Sequence, residues 1–121
     1  MTTDPHGPTA DLATQGAADL LIRLGSGERT SAAVVSDLLE RIAAVDDPSG
    51  PVGLRSFAAT AADALAVAAE RDAERRAGRL RGPLHGVPMA VKDNIEAAGL
   101  PGVAGSTALV GRPTGDALLV A

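Results

Sequence analysis

Gly82-Pro83-Leu84-His85-Gly86-Val87-Pro88-Met89-Ala90-Val91-Lys92-Asp93-Asn94-Ile95-Glu96-Ala97-Ala98-Gly99-Leu100-Pro101-Gly102-Val103-Ala104-Gly105-Ser106 is the stretch around which the chain is organised. Gly82-Pro83 and Gly86-Val87-Pro88 are turn punctuation, with φ fixed at each proline and permissive at each glycine. Met89-Ala90-Val91 is a short apolar run that reads as a buried strand. Lys92 then stands where strand gives way to loop, a rigid support for a chemical group. It is also the only lysine in the sequence; every other cationic side chain is an arginine. A lysine gives up its proton when buried and an arginine does not, so one lysine in an arginine background points to proton transfer. Survival by chance in an arginine-biased composition is the other reading of that count.

The surroundings decide between them. Gly82-Pro83-Leu84-His85-Gly86-Val87-Pro88, the apolar run, Lys92-Asp93-Asn94-Ile95, Ala98-Gly99-Leu100-Pro101 and Ala104-Gly105-Ser106 follow one another almost without a break. In this the chain resembles the lysine-bearing block of the amidase signature family. The resemblance implies hydrolysis of carboxylic amide C–N bonds by a Ser–cis-Ser–Lys triad, with Lys92 as its lysine. In that mechanism a neutral lysine takes a proton from a serine held by a cis peptide, which activates the nucleophilic serine. An exposed lysine is neutral only about once in 2,500 molecules at pH 7, so Lys92 is expected to be buried at the strand end, away from any carboxylate. The family's two serines lie in a Gly-Gly-Ser-Ser-Gly-Gly stretch and a Gly-Ser-Ala continuation that this sequence does not contain. Ser106 belongs to the Ala-Gly-Ser loop and is not expected to be a nucleophile. By this resemblance the chain is an amidase, but one without a nucleophile or an oxyanion hole, and it is expected to be inactive alone.

Composition narrows the alternatives. The chain has 121 residues, enough for one domain at most. Phe57 is its only aromatic side chain, and alanine supplies much of the 45% hydrophobic content. A net charge of −4 and a pI near 5.0 leave no electrostatic footprint for nucleic acid. There is no cysteine, hence no disulfide, thiolate nucleophile or cysteine-ligated zinc. His6 and His85 lack a second ligand at metal-binding spacing, and no cofactor or metal is expected. Met1-Thr2-Thr3-Asp4-Pro5 has neither the basic nor the apolar region of a secretory signal, and no apolar run is long enough to span a membrane. A cytoplasmic protein is expected, its partners a small-molecule amide and the remainder of the amidase domain.

Taken in order, residues 1–8 are expected to form a disordered tail and residues 9–121 a partial amidase domain. A first helix is expected from Thr9 or Asp11 to Leu24, on Ala13, Ala17, Leu20, Leu21 and Leu24, and closed by Gly25-Ser26-Gly27. Thr30 or Ser31 caps a second, to about Val45, with Val34 or Val35, Leu38, Ile42 and Val45 as its stripe. The pair makes an αα-hairpin. Leu54-Arg55-Ser56-Phe57 reads as a short strand. Thr60 to Asp63 resembles a capping box for a third helix to about Ala77, alanine-rich inside. Its outer end carries Glu70, Arg71, Asp72, Glu74, Arg75 and Arg76, whose mixed signs, as in Asp72 with Arg76, read as a solvated face. Asp116 to Ala121 reads as the start of a fourth helix that goes no further. His85, between turn glycines, is expected to make a structural hydrogen bond. Asp93 and Asn94 either orient Lys92 or bond their own turn backbone.

The expected fold class is α/β: a helical hairpin and a third helix packed on a partial, mostly missing mixed sheet with Met89–Val91 as an inner strand. Two functions of different class follow. One is the N-terminal part of an amidase; the other is a non-catalytic module that pairs with an amidase or regulates it.

Overall fold

The structure is a computed structural model and describes residues 12, 14–47, 49–51 and 53–120. The expected tail over residues 1–8 and the expected helix start at Thr9 or Asp11 lie outside those residues, as does Ala121. The chain forms two compact units, one up to Arg55 with Asp63–Pro88, the other of Ser56–Ala62 with Met89–Ala121.

The first unit is helical. Helix α1 runs Ala17–Ser26, α2 Ser31–Val45 and α3 Ala64–Arg76. Leu12 and Thr14 are helical too, but Gln15 and Gly16 are not, so the expected first helix is broken there. Gly16, a poor helix former, stands at the start of α1 without a side-chain cap. Gly27 ends α1 in the left-handed region at φ 78°, its N–H reaching the Leu24 carbonyl. Thr30 is the cap of α2: its Oγ1 accepts from the Ala33 N–H at 3.1 Å. Leu20, Leu24 and Val34 form the core, with Leu12, Leu38 and Val87 packed against it. Leu24 and Val34 are fully buried, and each such burial stabilises by about 1.5–3 kcal/mol. Among the described residues no helix is long and apolar enough to cross a membrane.

Helix α3 packs against α2 through Ala68 and Asp72. Ala68 is small enough to let the helices approach. Asp72 departs from the expectation: it does not lie on a solvated face with Arg76 but is buried. Its Oδ1 accepts from the Ser31 N–H at 2.7 Å and its Oδ2 from the Ala32 N–H at 3.0 Å. The carboxylate thereby satisfies two donors that α2 leaves open at its N-terminus and meets the positive end of the helix dipole. The rest of the charge run does lie outward: Arg71 pairs with Glu70 and Glu74, and Arg81 grips Glu74 through Nε and Nη2. The hydrogen bonds from Arg81 hold the Glu74 carboxyl below its ordinary pKa. The expected capping box is not used either. Helix α3 begins after Asp63, without a side-chain cap.

Neither expected strand forms. Among the described residues there is no β-ladder at all, so the sheet of the expected α/β class is not seen among them. A strand needs a neighbour to take its N–H and C=O groups, and among the described residues none stands beside either segment. Met89 is 71% exposed, as an unpaired apolar run must be. Arg55, in the other expected strand, has φ 53°, incompatible with extended pairing. The second unit is accordingly a set of turns with one 3-10 helix, Thr107–Leu109. The start of a fourth helix is not seen: residues 118–120 are a turn.

Candidate active site

The Gly82–Ser106 block divides between the two units. In the helical unit, Pro83 to Val87 form turns closed by His85 N–H to Gly82 O and Val87 N–H to Leu84 O. His85 is buried. Its Nδ1 accepts from the Arg81 N–H at 3.1 Å, and its Nε2 lies 2.8 Å from the Arg71 carbonyl. A backbone N–H can only donate and a carbonyl only accept, so the ring is the neutral tautomer with its proton on Nε2. Both nitrogens are spent on backbone, which gives His85 the structural role expected of it. The His85 carbonyl accepts from Arg75 Nη2 at 2.6 Å. Gly86 follows at φ 81°, and a Cβ there would collide with Ser31 Oγ. Only glycine suits both the backbone angle and the space beside the start of α2.

In the second unit, Lys92 opens a turn closed by the Ile95 N–H to its carbonyl at 2.8 Å. The side chain is exposed, which corrects the expected burial at a strand end: with no sheet there is nothing to bury it. No carboxylate among the described residues pairs with it. Asp93 neither bonds its own turn nor touches the Lys92 amine. Its Oδ1 accepts from the Val103 N–H at 3.2 Å and its Oδ2 from the Gly105 N–H at 3.3 Å. Ser106, exposed, leads into the 3-10 helix, its carbonyl accepting from the Leu109 N–H. No hydrogen bond joins it to Lys92.

A second carboxylate works in the same way. Asp116 Oδ1 accepts from the Ala98 N–H at 2.8 Å, and the Ala117 N–H reaches the Glu96 carbonyl at 2.9 Å. Thr114 Oγ1 lies 2.8 Å from the Leu100 carbonyl, which it donates to. Arg112 pairs with Glu96. Among the described residues no group of three or more His, Cys, Asp or Glu side chains is placed to hold a metal ion.

The family model described as Amidase matches residues 33–121, and the lysine block lies wholly within that span. The chain belongs to the amidase signature family. Among the proteins it is similar to are the glutamyl-tRNA(Gln) amidotransferase subunits A of Salinispora arenicola and Renibacterium salmoninarum. The first is 41% identical over 91% of this chain and 22% of its own length, the second 45% over 84% and 19%. Among solved structures, the native peptide amidase from Stenotrophomonas maltophilia matches with a TM-score of 0.84 and 50% identity, covering 93% of this chain and 23% of that one. A structure of the peptide amidase PAM with the competitive inhibitor chymostatin matches at 0.82 and 51%. The chain thus spans about a fifth of the length of the relatives it matches.

Within this amidase-family chain, sequence reasoning located the lysine block but missed what Asp72, Asp93 and Asp116 do. Each carboxylate binds backbone amides far along the chain, and no local pattern announces such a contact. The only available sign was an aspartate just after the lysine and a three-residue glycine rhythm at Gly99, Gly102 and Gly105, which mark loops free to approach other backbone.

Proposed function

We propose that this chain is the N-terminal part of an amidase-signature hydrolase acting on carboxylic amide C–N bonds, in which Lys92 is the base of a Ser–cis-Ser–Lys triad. The observation that carries the reading is the lysine block lying inside the amidase match, in a chain whose relatives are several times longer. The two serines and the oxyanion donors belong to the remainder of the amidase domain. In that complete domain Met89–Val91 gains its ladder partners, and Lys92 gains the cover that favours its neutral form. Alone, the chain brings a base without a nucleophile and turns over no amide above background. The substrate is a small carboxylic amide in a soluble, cytoplasmic enzyme.

The test uses the complete enzyme, with the remaining domain supplied on the same chain or in trans. Lys92→Arg keeps the charge and most of the stem, so a structural cation would tolerate it, whereas a general base cannot be a guanidinium. Arg and Ala at position 92 should both lower kcat by about 10²- to 10⁴-fold while the protein stays folded. An Arg variant that keeps more than about a tenth of the activity, less loss than general acid–base groups typically show, overturns the reading.

A further inference from the structure

We infer that Asp93 is the positioning residue for Lys92, acting through the backbone of residues 103–105; the inference rests on the reading of Lys92 as the catalytic base. Lys92 is exposed and its amine has no partner among the described residues, so nothing holds the side chain from its tip. Whatever fixes the amine must fix its stem. On the C-terminal side the Lys92 Cα is one peptide unit from Asp93, and the Lys92 carbonyl is tied to the Ile95 N–H. Asp93 then reaches over ten residues to the Val103 N–H and over twelve to the Gly105 N–H. One rigid carboxylate thus binds two amides on either side of Ala104.

The conformation at the far end shows that this grip has consequences. Ala104 has φ 46° and Gly105 φ 73°, two successive residues in the left-handed region. Alanine does not visit that region for its own sake and stays there only where its surroundings determine it. With the backbone turned in this way, the Val103 and Gly105 N–H groups that flank Ala104 both reach the Asp93 carboxylate. The Ser106 N–H closes the same turn on the Val103 carbonyl at 2.7 Å. Two loops without regular structure become one frame, and Lys92 is mounted at its edge. A turn aspartate bonding its own backbone would leave Lys92 free to move with a flexible loop.

Because the chain has a single lysine, lysine-selective isotope labelling gives one set of signals, and the inference can be tested on the 121-residue chain itself. In Asp93→Ala the Val103 and Gly105 amides should exchange about tenfold faster or more, the loss expected when a bond to a charged acceptor goes. The Lys92 backbone and β-carbon signals should shift or broaden at the same time. Asp93→Asn retains one acceptor oxygen and should restore protection at one of the two amides, with a Lys92 signal between the wild-type and alanine positions. In the assembled enzyme Asp93→Ala should lower kcat by about 10- to 100-fold with KM unchanged, as misplacement of a catalytic group does. Lys92 signals unaltered in Asp93→Ala overturn the inference, whether or not the two amides exchange faster. A raised KM with kcat intact overturns it too. Should Asp93→Ala fail to fold by far-UV circular dichroism, Asp93→Asn carries the same comparison. An active Lys92→Arg enzyme would instead remove the catalytic reading and leave the labelling results standing, so the two failures are distinct.

Discussion

The two halves of the lysine block lie side by side in sequence and differ in almost every physical respect. From His85 to Val87 the residue types are accounted for by contacts inside the chain. His85 bridges two backbone groups, Gly86 clears Ser31 at a left-handed angle, and Val87 packs on the helical core. From Met89 to Asn94 they are not. Met89, Ala90, Lys92 and Asn94 are exposed, and of this run only the Asp93 side chain is tied down by two hydrogen bonds. A histidine in a motif is easily taken for a chemical group, yet here it is a strut. The lysine, whose environment explains nothing about why it is a lysine, is the better candidate for chemistry.

That contrast can be broken at three places beyond the tests at Lys92 and Asp93. The largest effect should come from Gly86→Ala, which combines a strained φ with a Cβ driven into Ser31 Oγ. We expect a loss of about 2–4 kcal/mol in urea denaturation followed by helical circular dichroism. A neutral outcome would mean that the turn does not press on α2. Next comes His85→Ala, which orphans the Arg81 N–H and takes a second donor from the Arg71 carbonyl inside α3; the same measurement should show about 1–3 kcal/mol. If stability is untouched while activity of the assembled enzyme collapses, His85 is chemical after all and the contrast fails. The smallest effect is expected at Met89→Ala, within about 0.5 kcal/mol for a side chain so exposed. A clear destabilisation there would show that Met89 is covered in the isolated chain.

Much of the helical unit was legible in the sequence because its signals are local. Leu20 and Leu24 stand one turn apart on α1 and Val34 falls in the expected stripe of α2, Thr30 is a good cap, and Gly27 is a good stop. Gln15-Gly16 broke the first helix because glycine outweighed an otherwise continuous stripe. The expected strands are not seen for a different reason. Met89-Ala90-Val91 has the composition of a buried strand, but a strand is a relation between segments, and no partner for it stands among the described residues. Lys92 was found from its rarity and its block, its exposure was not, since exposure follows from what else is folded around it. Asp72, Asp93 and Asp116 were opaque because a carboxylate looks the same whether it faces water or a distant backbone amide.

One of those carboxylates also bears on how the chain folds. Asp72 completes the first turn of α2 from 41 residues further along. Until α3 has formed and docked, the Ser31 and Ala32 amides must be left to water, and α2 frays from the end where helices are hardest to start. The cap therefore arrives only after the intervening loop has been closed, at an entropy that grows slowly with its length. The first turn of α2 should be late to gain protection in refolding, together with α3 and not with its own C-terminal turns. On a growing nascent chain, α2 would leave the ribosome well before the residue that finishes it.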